Sequence, residues 1–107
     1  MAFYLIRAKL RTDKKDELYS RLQKKEFVEL RPFGIALTLG LENALSDPKT
    51  GEILWEEEDY CSPPLAEERA AVLDHYFEEL HWESVNKGEG WAQIEHFPLL
   101  WKEKTNI

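Results

Sequence analysis

Residues 53–61 read ILWEEEDYC: three apolar side chains, then four consecutive acids. Few folds can absorb such a run. Ile53, Leu54 and Trp55 suit a packed sheet. Successive side chains of a strand point to opposite faces. Ile53, Trp55, Glu57 and Asp59 therefore share one face, and Leu54, Glu56, Glu58 and Tyr60 the other. Each face receives two carboxylates. An unpaired carboxylate in an apolar interior takes up a proton rather than remain charged. A chain that buries this strand must give each pair a partner or leave it to water.

The flanking sequence supplies the other elements. Residues 2–11 alternate, with Tyr4, Ile6, Ala8 and Leu10 opposed to Phe3, Leu5, Arg7 and Lys9, as in a half-buried strand. A helix is expected from about 13 to 25, capped by Thr12 or Asp13 and closed by Lys24 and Lys25. Residues 33–46, FGIALTLGLENALS, alternate again and predict a second strand. DPKTG at 47–51 is a turn signal that joins it to the acidic strand as a hairpin. Ser62-Pro63-Pro64 predicts the start of a helix running to about 82. Residues 91–101, WAQIEHFPLLW, predict a last strand, with Pro98 at an edge or an end.

The predicted order is β-α-β-β-α-β across residues 1–107, read as one domain. By element order this resembles the ferredoxin-like fold, an α+β architecture. That resemblance implies a four-stranded antiparallel sheet in the order 4-1-3-2, with two helices on one face. The acidic strand would be central, and it is expected to lie parallel beside the first strand. The other face would be bare. In the dimeric α+β barrel type of this fold a second subunit covers that face. Phe3, Leu5, Trp91 and Phe97 are expected on it, and large exposed apolar patches mark interfaces. The expectation is a homodimer formed through the sheet face.

The balance of 14 basic against 21 acidic residues, a net charge of −7, argues against nucleic-acid binding, which relies on neutralising phosphates. The N-terminal apolar run is short and interrupted by charge, so no membrane association is expected. One cysteine, Cys61, permits no internal disulfide and fits a reducing, cytoplasmic setting. A chain with 43% hydrophobic and 33% charged residues is globular rather than disordered.

Three uses of the acids compete. Arg7 and Lys9 can answer them as a charge ladder on the bare face, which fixes register. Alternatively the charges line a pocket for a polar small molecule. A site for a hard cation is the least favoured, because no DxDxDG-type loop surrounds the acids, and no metal or cofactor is expected. On the other face, Arg69 falls inside the apolar stripe Leu65, Ala66, Val72, Leu73, Tyr76, Phe77 and Leu80. It is expected either to reach Glu56, Glu57 or Glu58, or to snorkel outward.

His75 and His81 lie about 120° apart on a helix and cannot chelate one ion together. Asp74, Glu78 and His81 share one helical side as a solvated flank. A ligand would be held by Arg7, Lys9 and Trp91. The two function classes that follow are a small-molecule-binding or protein-interaction module, and a cofactor-independent enzyme. In the enzyme, His96, Glu57 or Asp59 would act as acid or base. Cys61 reads as a small buried hydrophobe.

Overall fold

The computed structural model describes residues 2–59 and 61–101. Strand β1 (Ala2–Leu10) leads through a 3-10 turn, Thr12–Lys14, into helix α1 (Lys15–Gln23). Helix α2 (Gly34–Glu42), the short strand β2 (Leu45–Ser46) and strand β3 (Glu52–Asp59) follow. A helical rod comprises α3 (Ala66–Glu68), a π-helical segment (Arg69–Leu73) and α4 (Asp74–Tyr76). Strand β4 (Phe77–Val85) and helix α5 (Glu89–Ile94) complete the order.

The sheet runs β2-β3-β1-β4 with every neighbouring pair antiparallel. This is the expected 4-1-3-2 order read from the other edge, in an α+β chain. The expectation that the acidic strand lies parallel to β1 is corrected: Leu5 stands opposite Glu56 and Arg7 opposite Leu54 in an antiparallel register. The expected split of side chains between faces does appear. Ile53 and Trp55 pack with Ile6 and Ala8, whereas Leu54 packs with Leu5. Tyr60, placed with Leu54 by the alternation, lies outside the described residues.

Three elements differ from the sequence reading. Residues 34–42 are helical, because Phe33, Leu37, Leu41 and Ala44 repeat at helical spacing and all are buried. Ile35 and Leu39 create the apparent alternation, yet they are 60% and 56% exposed. The helix expected to reach 82 stops at Tyr76, and Phe77 turns into β4 with φ −126° and ψ 154°. Residues 91–101 are not the fourth strand: α5 occupies their first part. Beyond it, Pro98 accepts from the Ser46 N–H at 2.8 Å, and the Leu100 N–H donates to Ala44 at 2.9 Å. Those two bonds flank a single bridge between Leu45 and Leu99.

The main core lies between one sheet face and α1, α2 and the rod. Trp55, Phe27, Tyr76 and Phe77 are its largest members. Each such side chain contributes roughly 1.5–3 kcal/mol by leaving water. The second face is not bare. Leu5, Leu45 and Leu54 meet Ile94 of α5, with Trp91 and Phe97 packed alongside. Three of the four residues offered for a dimer surface, Phe3, Trp91 and Phe97, are half-buried within the chain, and Leu5 is buried. Strand β4 pairs with β1 through a register shift. Glu78 faces Lys9 and His81 faces Arg7, so two residues of β4 oppose Ala8. Glu79 takes a left-handed φ of 53° at this bulge. Among the described residues no helix is long and apolar enough to cross a membrane.

Candidate functional site

The acids of β3 go to two different environments. Glu56 points to the second face and serves the start of α5. Its Oε2 accepts from the Gly88 N–H at 2.8 Å, and its Oε1 from Gly90 at 2.8 Å and Trp91 at 3.2 Å. The first amides of a helix have no intrahelical acceptor, so one carboxylate satisfies three orphan donors. Gly90 makes the approach possible: a Cβ there would sit 3.0 Å from Glu56 Oε1 and 3.3 Å from Leu5. The cations expected to answer this face are elsewhere. Lys9 Nζ lies 3.6 Å from Glu79 Oε1 in an exposed pair. Arg7 is exposed and lines a hollow of about 200 Å³ with His81 and Glu83.

Glu57 and Asp59 point to the helical side, where Glu68 of α3 meets them. Their exposures are 2%, 3% and 0%. One oxygen of each strand acid is held. Trp55 Nε1 donates to Glu57 Oε1 at 2.9 Å, and the Leu65 N–H donates to Asp59 Oδ2 at 2.8 Å. Leu65 adopts a left-handed φ of 64° at this bond. For a branched side chain that conformation costs on the order of 1 kcal/mol. The remaining oxygens, Glu57 Oε2, Asp59 Oδ1 and both of Glu68, have no hydrogen-bond donor among the described residues. Arg69 does not reach them. Its Nε pairs with Asp74 Oδ1 at 3.0 Å in the exposed, outward orientation. Asp74, Glu78 and His81 are likewise separated, since Glu78 pairs with Arg11 at 3.3 Å on β4.

Carboxylates cannot donate to one another, so three of them packed together must retain a proton. Burial and the adjoining Glu57 and Asp59 carboxyls push Glu68 up to about 12. Burial, followed by the charge of Asp59, raises Glu57, although the Trp55 N–H and the proton retained on Glu68 work the other way. Cys61 stands beside this trio. The ligand-capable atoms of Asp59, Cys61 and Glu68 all lie within 4.8 Å of one another. Burial raises the Cys61 thiol as well. The thiol is half-exposed rather than sealed.

Strand β2 covers only Ile53 and Leu54 of β3. The rest of that edge opens into a groove of about 820 Å³ between α2 and α5. Leu39, Gly40 and Trp91 form apolar walls, Glu57 and Glu58 lie along the strand, and Lys87 and Glu95 stand at the rim. Gly40 lets α2 approach, since a Cβ there would meet Trp55 Cδ1 at 2.7 Å. Of the residues expected to bind a ligand, Trp91 lines this groove, while Arg7 and Lys9 are not among its lining. His96 is exposed past the end of α5, its ring 4.1 Å from that of Phe97.

Neither Glu68 nor the amides of α5 carry a motif in the sequence. Glu68 sits in the polar run AEER, and its only signal was a helical spacing of three from the buried Leu65. No protein family, no curated protein and no solved structure matches this chain.

Proposed function

We propose that this chain is a ferredoxin-like small-molecule-binding domain whose ligand lies in the groove between α2 and α5. The observation that carries the reading is the groove itself: about 820 Å³ with apolar walls and a few convergent polar groups. That size and lining suit a drug-sized molecule. Its charged groups are mostly acids, with Lys87 as the single cation among the lining residues. The ligand class that fits is an apolar body carrying an amine, with Trp91 offering a ring face to the cation. Calorimetric titration with aliphatic and aromatic amines, against carboxylic acids of matched shape, tests it. Saturable binding of an amine, weakened by Trp91→Ala, is the expected result. Acids binding as well as amines, or no binding from either panel, overturns it.

Homodimerisation is a second reading, favoured by Ile35 and Leu39, two exposed apolar residues one turn apart on α2. Light scattering after size exclusion that shows monomer alone at micromolar concentration rejects it. In the enzymatic reading Glu57 is the acid or base candidate that lines the groove, whereas His96 is exposed and not among its lining residues.

A further inference from the structure

We infer that Asp59, Cys61 and Glu68, with Glu57 at the fourth position, form a binding site for a divalent transition ion of the zinc class. The site is separate from the amine proposed for the groove; Glu57 alone belongs to both.

Four observations converge. The ligand atoms of Asp59, Cys61 and Glu68 already lie within 4.8 Å of one another. Two donors on one tetrahedral zinc ion stand about 3.3–3.8 Å apart, given bonds of roughly 2.0–2.3 Å. Closing the cluster on an ion therefore needs the donor atoms to draw together by at most about 1.5 Å, within reach of side-chain rotation. Next, four buried carboxyl oxygens in the cluster have no donor among the described residues. Beyond the one proton the trio retains, these acceptors lack donors, and a cation completes such a set.

The third observation concerns orientation. Asp59 is held through Oδ2 by the Leu65 amide, which leaves Oδ1 free; Glu57 is held through Oε1 by Trp55, which leaves Oε2 free. Metal-ligating carboxylates are fixed in this way, one oxygen on an outer partner and the other on the ion. Fourth, Cys61 is half-exposed and gives an ion a way in from solvent.

The donor set also chooses the ion. Calcium and magnesium favour all-oxygen shells of six or more ligands. One sulfur with carboxylates in a compact set favours zinc or a similar borderline ion. The sequence reading expected no metal because the residues match no spaced motif. Two leave the end of a strand, and the third arrives from a helix seven residues after Cys61. Binding would displace both the proton that the trio otherwise retains and the proton of the Cys61 thiol, which ligates as the thiolate.

The test uses the full chain, stripped with a chelator, and the metal alone. One equivalent of cobalt(II), standing in for zinc, is expected to give a thiolate-to-cobalt charge-transfer absorption, and zinc should abolish it. Cys61→Ser should remove that absorption. Zinc should slow alkylation of Cys61 in the unmutated protein by at least about tenfold. Glu68→Gln should weaken zinc binding by at least about tenfold, a loss typical of perturbed metal sites. Should Glu68→Gln fail to fold, the cobalt absorption and the alkylation rate of the unmutated chain decide alone. No thiolate absorption, or an alkylation rate unchanged by excess zinc, overturns the site. Unaltered zinc affinity in a folded Glu68→Gln protein overturns it too.

Discussion

Glu56 and Glu57 are neighbours on one strand, yet they meet opposite fates. Glu56 is buried and fully answered by three backbone amides of α5. Glu57 is buried against two further carboxyls, and one of its oxygens finds no donor among the described residues. The same residue type at the same depth is a staple on one face and a liability on the other. What separates them is the partner: a helix start brings donors, and a helix carrying Glu68 brings another acceptor. Burial alone therefore does not say whether an acid stabilises a fold.

The largest effect should come from breaking the answered side. Glu56→Ala leaves the Gly88, Gly90 and Trp91 amides without their acceptor, at a cost of about 3 kcal/mol. Urea denaturation measures the loss. Hydrogen exchange should show α5 opening while β1 and β3 stay protected. A loss below about 1 kcal/mol would show that the two sides are equivalent.

The second test reads the crowded side through pH, in chelator. Folding raises the Glu68 carboxyl to about 12. Between the ordinary carboxyl value and that point the folded state holds more protons than the unfolded chain. Stability is then greatest in mild acid and falls as pH rises, by at most about 1.4 kcal/mol per pH unit for one proton. Relaxation of the cluster reduces this, and a fall of about 2 kcal/mol from pH 5 to pH 8 is expected. Glu68→Gln should flatten the profile and make the protein more stable at pH 8. A profile that rises with pH in the unmutated chain contradicts the assignment.

A smaller effect links the two sides. Gly40→Ala places a Cβ 2.7 Å from Trp55 Cδ1, the ring whose Nε1 holds Glu57. Overpacking of this kind should cost about 1 kcal/mol, visible as a lower melting temperature. Smallest of all, Arg69→Met should change stability by less than about 0.5 kcal/mol, because its pair with Asp74 is exposed. A large loss would mean that Arg69 does answer the buried acids.

Much of this was legible in the residues. The strand at 2–10, the helix after it, the turn at 47–51 and the two faces of β3 follow from period and turn chemistry. So does the buried stripe of Leu65, Val72, Leu73, Tyr76 and Phe77. Residues 34–42 misled because nearly every position is apolar, so periods of 2 and 3.6 fit equally well. Strand β4 misled for the opposite reason. FEELHWESV has little apolar pattern, and it is extended because β1 pairs with it across some 75 positions of sequence. The candidate site was half-visible. Alternation separated Glu56 from Glu57, but the partner on each face came from a distant element. The basic residues expected to answer the acids, Arg7, Lys9 and Arg69, turn outward instead.

The bulge at Glu79 has one more consequence. An outermost strand is a template on which a second chain can add and start a growing aggregate. Strand β4 is such a strand, nine residues long. Its bulge breaks the regular spacing of the unpaired edge, and Glu78, Glu79 and Glu83 would set like charges against an approaching copy. At the opposite flank the 98–100 segment occupies the edge of β2. The sheet is thus guarded against self-propagation on both sides, and the uncovered length of β3 is left facing the groove.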